Sequence, residues 1–556
     1  MSTAADFDGE RLSKKETALS SAEKLSKKET LGNVQLRHHE TNEIILVPTP
    51  TSDPNDPLNW SKAYRLYIAG LVSVTIFLSN FLAAGPSVAI VEIAQDFFGD
   101  SDLGLSGSIA KVSYFFTTTA LLQGMGNLIW MPVMIKYGRR PLYIFTFALY
   151  TATAGWAGSP SSYGSVLAAR ILMGFANGAA ECLAPLTISD IFFLHERGTI
   201  MALYTASLSA GVGGGIVIAG LITMHLHWRY IYYISTALIG ACTILIFFTL
   251  PETQYRRAAS VSADADRSDK AAAAAKSEDD PEVAYSEVAS QREVEIPKRR
   301  TWVQELRIFT GSYTNESILK LVIRPVVLLA LPPVLWATLV MSVTIGFLVA
   351  ITSNFSSAFQ TVYGFEAYQA GLCFTASIIS SLIGVFFGGH LGDMVADYFT
   401  KRNGGIREPE MRLPAMMISL VTGPLALVLY GVGIGNALHW IVPTIGLGLL
   451  NFSIVQATNI SLVYTIDAYR PVAGEVTVSQ FAFKSAFGFL LSFYTNPWIA
   501  KSGYVVAFGT MAGISGAVIS FWIVFYFFGK RIRHATWEWG FVESLVHWHD
   551  DREVGE

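Results

Sequence analysis

Twelve long apolar runs, six on either side of one long polar segment, leave this chain very few folds to choose from. The first six cover roughly 67–91, 107–133, 141–158, 163–187, 199–222 and 230–250, and the second six roughly 326–353, 367–391, 411–435, 438–463, 474–498 and 503–529. A helix needs about 20 residues to cross the roughly 30 Å hydrocarbon layer of a bilayer. Inside that layer no water satisfies open backbone groups, so runs of this length must be helices. The expected fold is an all-α membrane protein with twelve transmembrane helices in two six-helix halves. Its expected organisation is a tail at 1–63, a first half at 64–252, a middle loop at 253–324, a second half at 325–530 and a tail at 531–556.

Charge gives the orientation. Hydrophobic residues make up 52% of the chain and charged ones only 15%, and a formal net charge of −4 argues against a nucleic-acid partner. Lys136, Arg139, Arg140, Arg197, Lys401, Arg402, Arg407, Arg412, Arg470, Lys530, Arg531 and Arg533 fall on one set of connections, with little beyond Arg229 and Lys501 on the other. By the positive-inside rule both termini are cytoplasmic. Residues 1–60 contain no apolar core of a cleavable signal, so the first span serves as its own insertion signal. Cys182, Cys242 and Cys373 all fall within spans and read as small packing residues.

The polar segments differ from one another. The first 55 residues carry a repeat, Leu12 to Thr17 and Leu25 to Thr30, in a composition that cannot bury a core; the tail is either simply solvated or a site of regulatory modification. The middle loop begins equally polar, but Trp302, Val303, Leu306 and Phe309 then recur at helical spacing beside Arg299, Arg300 and Arg307. That pattern suits a helix lying on the inner membrane surface. A linker of this size lets two halves move relative to each other, as in transporters that rock about a midplane site.

Polar residues within the spans are the candidate site. Span four carries Arg170, Gly174, Asn177, Gly178 and Glu181. Arg170 and Glu181 lie about 20° apart around the axis but roughly 16 Å apart along it, so they share a face without forming a direct pair. Glu181 therefore needs another partner, a proton or a ligand. An ionisable group inside a membrane is a functional candidate by default, here for cation binding or proton coupling, with an interhelical contact as the alternative. Lys484 in span eleven needs a partner too, and Glu181 is one candidate. Asn451, Gln456 and Asn459 in span ten either line the solute path or hold helices together. Gly211, Gly213, Gly214, Gly215 and Gly220 in span five permit close helix approach. No Walker, zincin or nucleophile-elbow pattern occurs on a suitable element, so neither an enzyme nor an ATP-driven pump is expected.

Several strings together resemble the major facilitator superfamily from residue 53 to about 530. They are Asp56-Pro57-Leu58-Asn59-Trp60, the run from Asp190 through Glu196 and Arg197 to Gly198, Pro251-Glu252-Thr253, and the run from Arg402 to Leu413. More narrowly, the chain is similar to the fungal twelve-span drug:proton antiporter branch around the yeast histidinol and polyamine transporter group. The resemblance implies two pseudo-symmetric six-helix bundles. It also implies gating roles for Gly138, Arg139 and Arg140 between spans two and three, for Asp190, Glu196 and Arg197, and for Gly389 and Asp393 in the second half. Ile135 stands where the first loop signature usually has an acid, and span five lacks the proline of the antiporter signature.

The implied activity is secondary active transport of a small organic solute, coupled to protons, with export of drugs or metabolites first and uptake of polyamines or other organic cations second. A membrane nutrient sensor that no longer transports is the reading from another class. Many aromatic side chains are expected to line an apolar, adaptable cavity. No cofactor or metal is expected. The expected partners are the solute, protons and the lipid bilayer, with the chain acting as a monomer in a plasma membrane.

Overall fold

The apolar runs are helical over most of their length. The computed structural model describes residues 34–35, 50–51, 53–99, 104–159, 162–255, 298–309, 311–314, 317–403, 406–469, 472–537 and 539. The N-terminal repeat and the polar first part of the middle loop lie outside these residues.

The spans are α1 (Lys62–Phe98), α2 (Gly104–Tyr137), α3 (Arg140–Gly158), α4 (Tyr163–Ile191), α5 (Leu194–Thr223) and α6 (Arg229–Thr249) in the first half. In the second half they are α7 (Pro332–Tyr363), α8 (Ala367–Arg402), α9 (Pro409–Gly435) and α10 (Ile441–Ala468). Helix continues through Ala473–Ser520, but Gly503 at φ 76 and ψ 164 breaks it, a conformation that only glycine adopts readily. The break separates α11 (473–502) from α12, which runs from 504 and continues into Trp522–Trp537. Among the described residues nine segments are long and apolar enough to cross a membrane, and one of these, Ala473–Thr536, holds two crossings. With α2 and α3 the crossings number twelve.

Three spans depart from regular α-helix. α1 passes through a 3-10 turn at Gly85–Ala89, where Pro86 has no N–H to continue the ladder. α8 widens into a π-turn at Phe386–His390, and α9 starts as a 3-10 segment at Pro409–Met416.

The middle loop differs from the sequence expectation. Trp302–Glu305 is a single turn, closed by a Thr301/Gln304 capping box. Trp302 donates its indole N–H to the Phe248 carbonyl, the Tyr313 N–H bonds the Lys136 carbonyl at 2.8 Å, and Arg140 donates to Leu306. Residues 298–314 thus strap the ends of α2, α3 and α6. The amphipathic helix lies further on, at Ile318–Leu328, with Leu321, Arg324, Pro325 and Leu328 buried. The seventh span consequently begins at Pro332, whose prolines suit a helix start, rather than near 326.

Within the first half α2 packs on α4 and α1 on α5; within the second α7 packs on α11 and α9 on α10. The halves meet along two seams, α2 with α11 and α5 with α8, and α5 also touches α10. One buried apolar cluster runs through both halves. Cys182, Cys242 and Cys373 are buried and free.

Candidate functional site

At the centre of the α2–α11 seam a carboxylate from one half meets an ammonium from the other. Lys484 Nζ lies 3.2 and 3.1 Å from the two Glu181 oxygens, with only 2% of Glu181 and 5% of Lys484 exposed. Gln123 of α2 donates its amide to Glu181 Oε1 at 2.7 Å. Gly178 explains that third contact: a Cβ there would fall into the Gln123 backbone, so α4 and α2 touch at this level. Phe481 places its ring 4.9 Å from Lys484 Nζ, and Tyr204 of α5 donates its hydroxyl to the Glu181 carbonyl.

A buried pair of this kind loses hydration on both partners and recovers it only with good geometry and further hydrogen bonds. Gln123 and the bidentate approach of Lys484 supply both.

The pair forms the floor of an open cavity of about 160 Å³. Its walls come mainly from Asn80–Ile90 of α1, Ile109–Gln123 of α2, Ile345–Ser357 of α7 and Lys484–Ser492 of α11. These are the halves of the helices that point away from the termini. Glu181 and Lys484 are the only charged side chains among the lining residues, so the charges of the cavity cancel. Phe116 is its one aromatic side chain; the rest of the lining is small, aliphatic or hydroxyl-bearing, which corrects the expectation of an aromatic cavity. Aromatic residues pack elsewhere, for instance Phe355 with Phe359 and Phe374 at the α7–α8 contact.

Other residues singled out from sequence do not line the cavity. Arg170 donates to the carbonyls of Leu82 at 3.0 Å and Ala83 at 3.3 Å, and its guanidinium sits 4.9 Å from the Phe116 ring and 5.7 Å from that of Tyr232. Asn177 reaches the Ser79 carbonyl at 3.4 Å. Asn451 accepts from Ser209 of α5 and donates to Ser377 of α8, a polar tie across both halves. Gln456 bonds Ser419 and the Ala415 carbonyl in α9, and Asn459 donates to the Gly388 carbonyl inside the π-turn.

The loop motifs gather on the face that carries the termini. Arg139 pairs with Asp190 at 2.6 Å, both almost fully buried. Gly138 precedes it at φ 95, and Glu252 accepts the N–H groups of Arg139 and Arg140 at the start of α3. Arg140 itself donates to the carbonyls of Leu250 and Phe247. Glu196 stands 3.5 Å from Arg65, and Arg197 donates to the carbonyls of Phe192 and Ser189.

In the second half Asp393 pairs with Arg412 at 2.7 Å and with Arg407 at 3.5 Å. Burial, reinforced by Arg412, pushes the Arg407 guanidinium below its ordinary range. Gly198 faces the Asp393 carboxylate and Gly389 faces Ala202 and Gly198, so these motifs of the two halves touch and seal the α5–α8 seam.

Sequence reasoning missed Gln123, one polar residue among threonines and leucines in a long apolar helix. It also missed Arg324, whose guanidinium pairs with Glu475 at 3.0 Å in full burial.

The comparisons with known proteins agree with this architecture. The profile of the Major Facilitator Superfamily matches residues 71–483. Protein HOL1 of Saccharomyces cerevisiae is 25% identical, over 90% of this chain and 92% of that protein. MFS-type transporter penM of Penicillium rubens is 25% identical over 93% and 96%, and an uncharacterized MFS-type transporter of Schizosaccharomyces pombe is 25% identical over 89% of each. Among solved structures, the proton:xylose symporter XylE bound to 6-bromo-6-deoxy-D-glucose superposes with a TM-score of 0.59 at 14% identity, over 84% of this chain and 97% of that one. The partially occluded inward-open form of XylE from E. coli gives 0.53, over 83% and 99%. At that identity the likeness is one of fold.

Proposed function

Since this chain belongs to the major facilitator superfamily and is a secondary transporter of the membrane, we propose that it moves a small organic solute by proton-coupled alternating access, with Glu181 and Lys484 as the coupling pair. The observation that carries this reading is the buried ion pair at the cavity floor, with one partner from each half. Rocking of the halves must stretch or break that pair. A proton on Glu181 removes the attraction, so protonation and movement are linked through the same atoms. The termini and their basic loops face the cytoplasm, the cavity opens outward, and the membrane is the plasma membrane of a fungal cell.

Export of drugs or metabolites is the first reading of direction and rests on the resemblance to the drug:proton antiporter branch. Uptake is the second. It is favoured by the missing proline of span five, where Gly215 and Gly220 flank Ile216, Val217, Ile218 and Ala219. For uptake of an organic cation Glu181 would have to be an anchor, yet Lys484 already occupies it.

Accumulation assays in cells carrying the wild type, Glu181→Gln or no transporter test the reading. Export predicts that wild-type cells retain less of a labelled drug panel than empty cells, and that both an uncoupler and the variant abolish the difference. Labelled spermidine that accumulates more at acidic outside pH, and no longer does so in the variant, would replace export with cation uptake. Coupling that survives intact in Glu181→Gln would remove the pair from the mechanism.

A further inference from the structure

We infer that the cavity takes a solute bearing one carboxylate on an apolar body, which docks on the Lys484 ammonium while Glu181 is protonated. The inference rests on the proton-coupling role proposed above and adds the charge of the solute and the sign of the coupling.

The argument begins with charge. Glu181 and Lys484 cancel within a lining that is otherwise uncharged and largely apolar. A charged solute can enter only if it replaces one partner and that partner is neutralised, because an uncompensated charge in such surroundings is expensive. A cation would replace Lys484, which must then give up a proton. An anion would replace Glu181, which must then gain one. From pH 7, protonating a carboxylate spans about 2.7 units and deprotonating an alkylammonium about 3.4, and acidity widens that difference, so the anion route is the more accessible one.

The surroundings suit that exchange. Gln123 donates to the ionised Glu181, and after a flip its amide oxygen accepts from the protonated acid, so one side chain serves both states. The remaining titratable groups packed near Glu181 are the Tyr204 phenol from α5 and the Cys182 thiol from its own helix, neither of which offers a competing charge. Thr117 Oγ1 is a buried hydroxyl of the cavity wall without a hydrogen-bond partner, a spare donor for a solute oxygen. Ile109, Phe116, Leu348 and Ile454 offer the body of the solute an apolar wall.

The step balances. Glu181 takes one proton from the cavity side and its ion pair with Lys484 breaks; the ammonium then pairs with the solute carboxylate. When the cavity opens on the other face, solute and proton leave and the original pair re-forms. A carboxylate and a proton travel together without net charge, so with this coupling an acidic exterior would drive uptake, the second of the two directions above, rather than export.

Equilibrium binding to the purified full-length chain tests this, with two matched series as probes: hexanoate, hexanamide and hexylamine, and benzoate, benzamide and benzylamine. Measurement between about pH 5.5 and about pH 7.5 keeps the acids largely ionised. The carboxylates should bind best, and their affinity should rise as pH falls, by up to about tenfold per unit, the limit for one proton bound with each solute. Glu181→Gln should bind them tightly at both pH values, Lys484→Gln should lose them, and Lys484→Arg, which keeps the charge, should retain them.

Preference for the amines or amides, or failure of every acid to bind, would overturn the solute class. If another member of the series then still binds with a pH dependence that Glu181→Gln abolishes, the coupling role survives without it. A pH dependence unchanged in Glu181→Gln would overturn both.

Discussion

Glu181 and Lys484 are buried charges, each with the other as its counter-ion. Each is conspicuous as a charge inside an apolar run, but they lie 303 positions apart and only the packing of α2, α4 and α11 joins them. Removing one partner of a buried pair typically costs about 3–5 kcal/mol, because the other charge is left uncompensated. Glu181→Gln and Lys484→Gln should therefore each lower the thermal stability of the purified chain, whereas the double variant, which leaves no charge behind, should recover most of the loss. Additive losses in the double variant would mean that the two side chains do not hold each other.

Arg170 carries a different lesson. Its partners are the Leu82 and Ala83 carbonyls, and Pro86, four residues beyond Leu82, cannot donate to that carbonyl. The guanidinium fork serves the acceptors that the broken helix leaves open. Arg170→Lys should fail to replace it, since a single ammonium cannot match the planar fork. An unsatisfied buried acceptor costs about 1–3 kcal/mol, so a melting temperature equal to wild type in Arg170→Lys would refute this role.

At the scale of the element, the long spans were legible because a membrane allows no other structure for runs of that length, whereas the segment between the halves was not. The last residues of Ile318–Leu328, from 326, are apolar enough to read as the start of span seven, and only Arg324 and the prolines at 332 and 333 hint at a separate helix. Trp302 to Phe309 has helical spacing, but its side chains and carbonyls are taken up by α2, α3 and α6, which leaves a single turn. The Ile318–Leu328 helix touches both α2 and α11, and its Arg324 is tied to Glu475 at the start of α11. It therefore joins the middle loop to the seam between the halves. In Arg324→Gln that tie is lost and Glu475 is left buried alone. Hydrogen exchange over 318–328 should accelerate markedly in this variant while the centre of α4 stays protected. Unchanged exchange would show that apolar packing alone holds the helix.

For the whole molecule the decisive fact is an asymmetry. The space between the halves widens on the side away from the termini, while on the terminal side Gly198 presses on Asp393 and Gly389 on Ala202. The family resemblance implied gating roles for these motifs; no spacing within either half could have shown that the two motifs touch. A closed seam built from glycines predicts its own test. In Gly198→Ala the new Cβ would fall within the Asp393 carboxylate, so the terminal side cannot close without displacing that group and its Arg412 partner. The population should shift toward the opposite state, in which the cavity away from the termini narrows. Ser353 lines that cavity, and all three native cysteines are buried, so Ser353→Cys reports its opening with little background. In the orientation proposed above, an impermeant maleimide added outside the cell should label Ser353→Cys readily and label the Gly198→Ala, Ser353→Cys double variant several-fold more slowly. Equal rates at equal surface expression would mean that closure does not depend on this contact, and the gate would have to be sought along α2 and α11 instead.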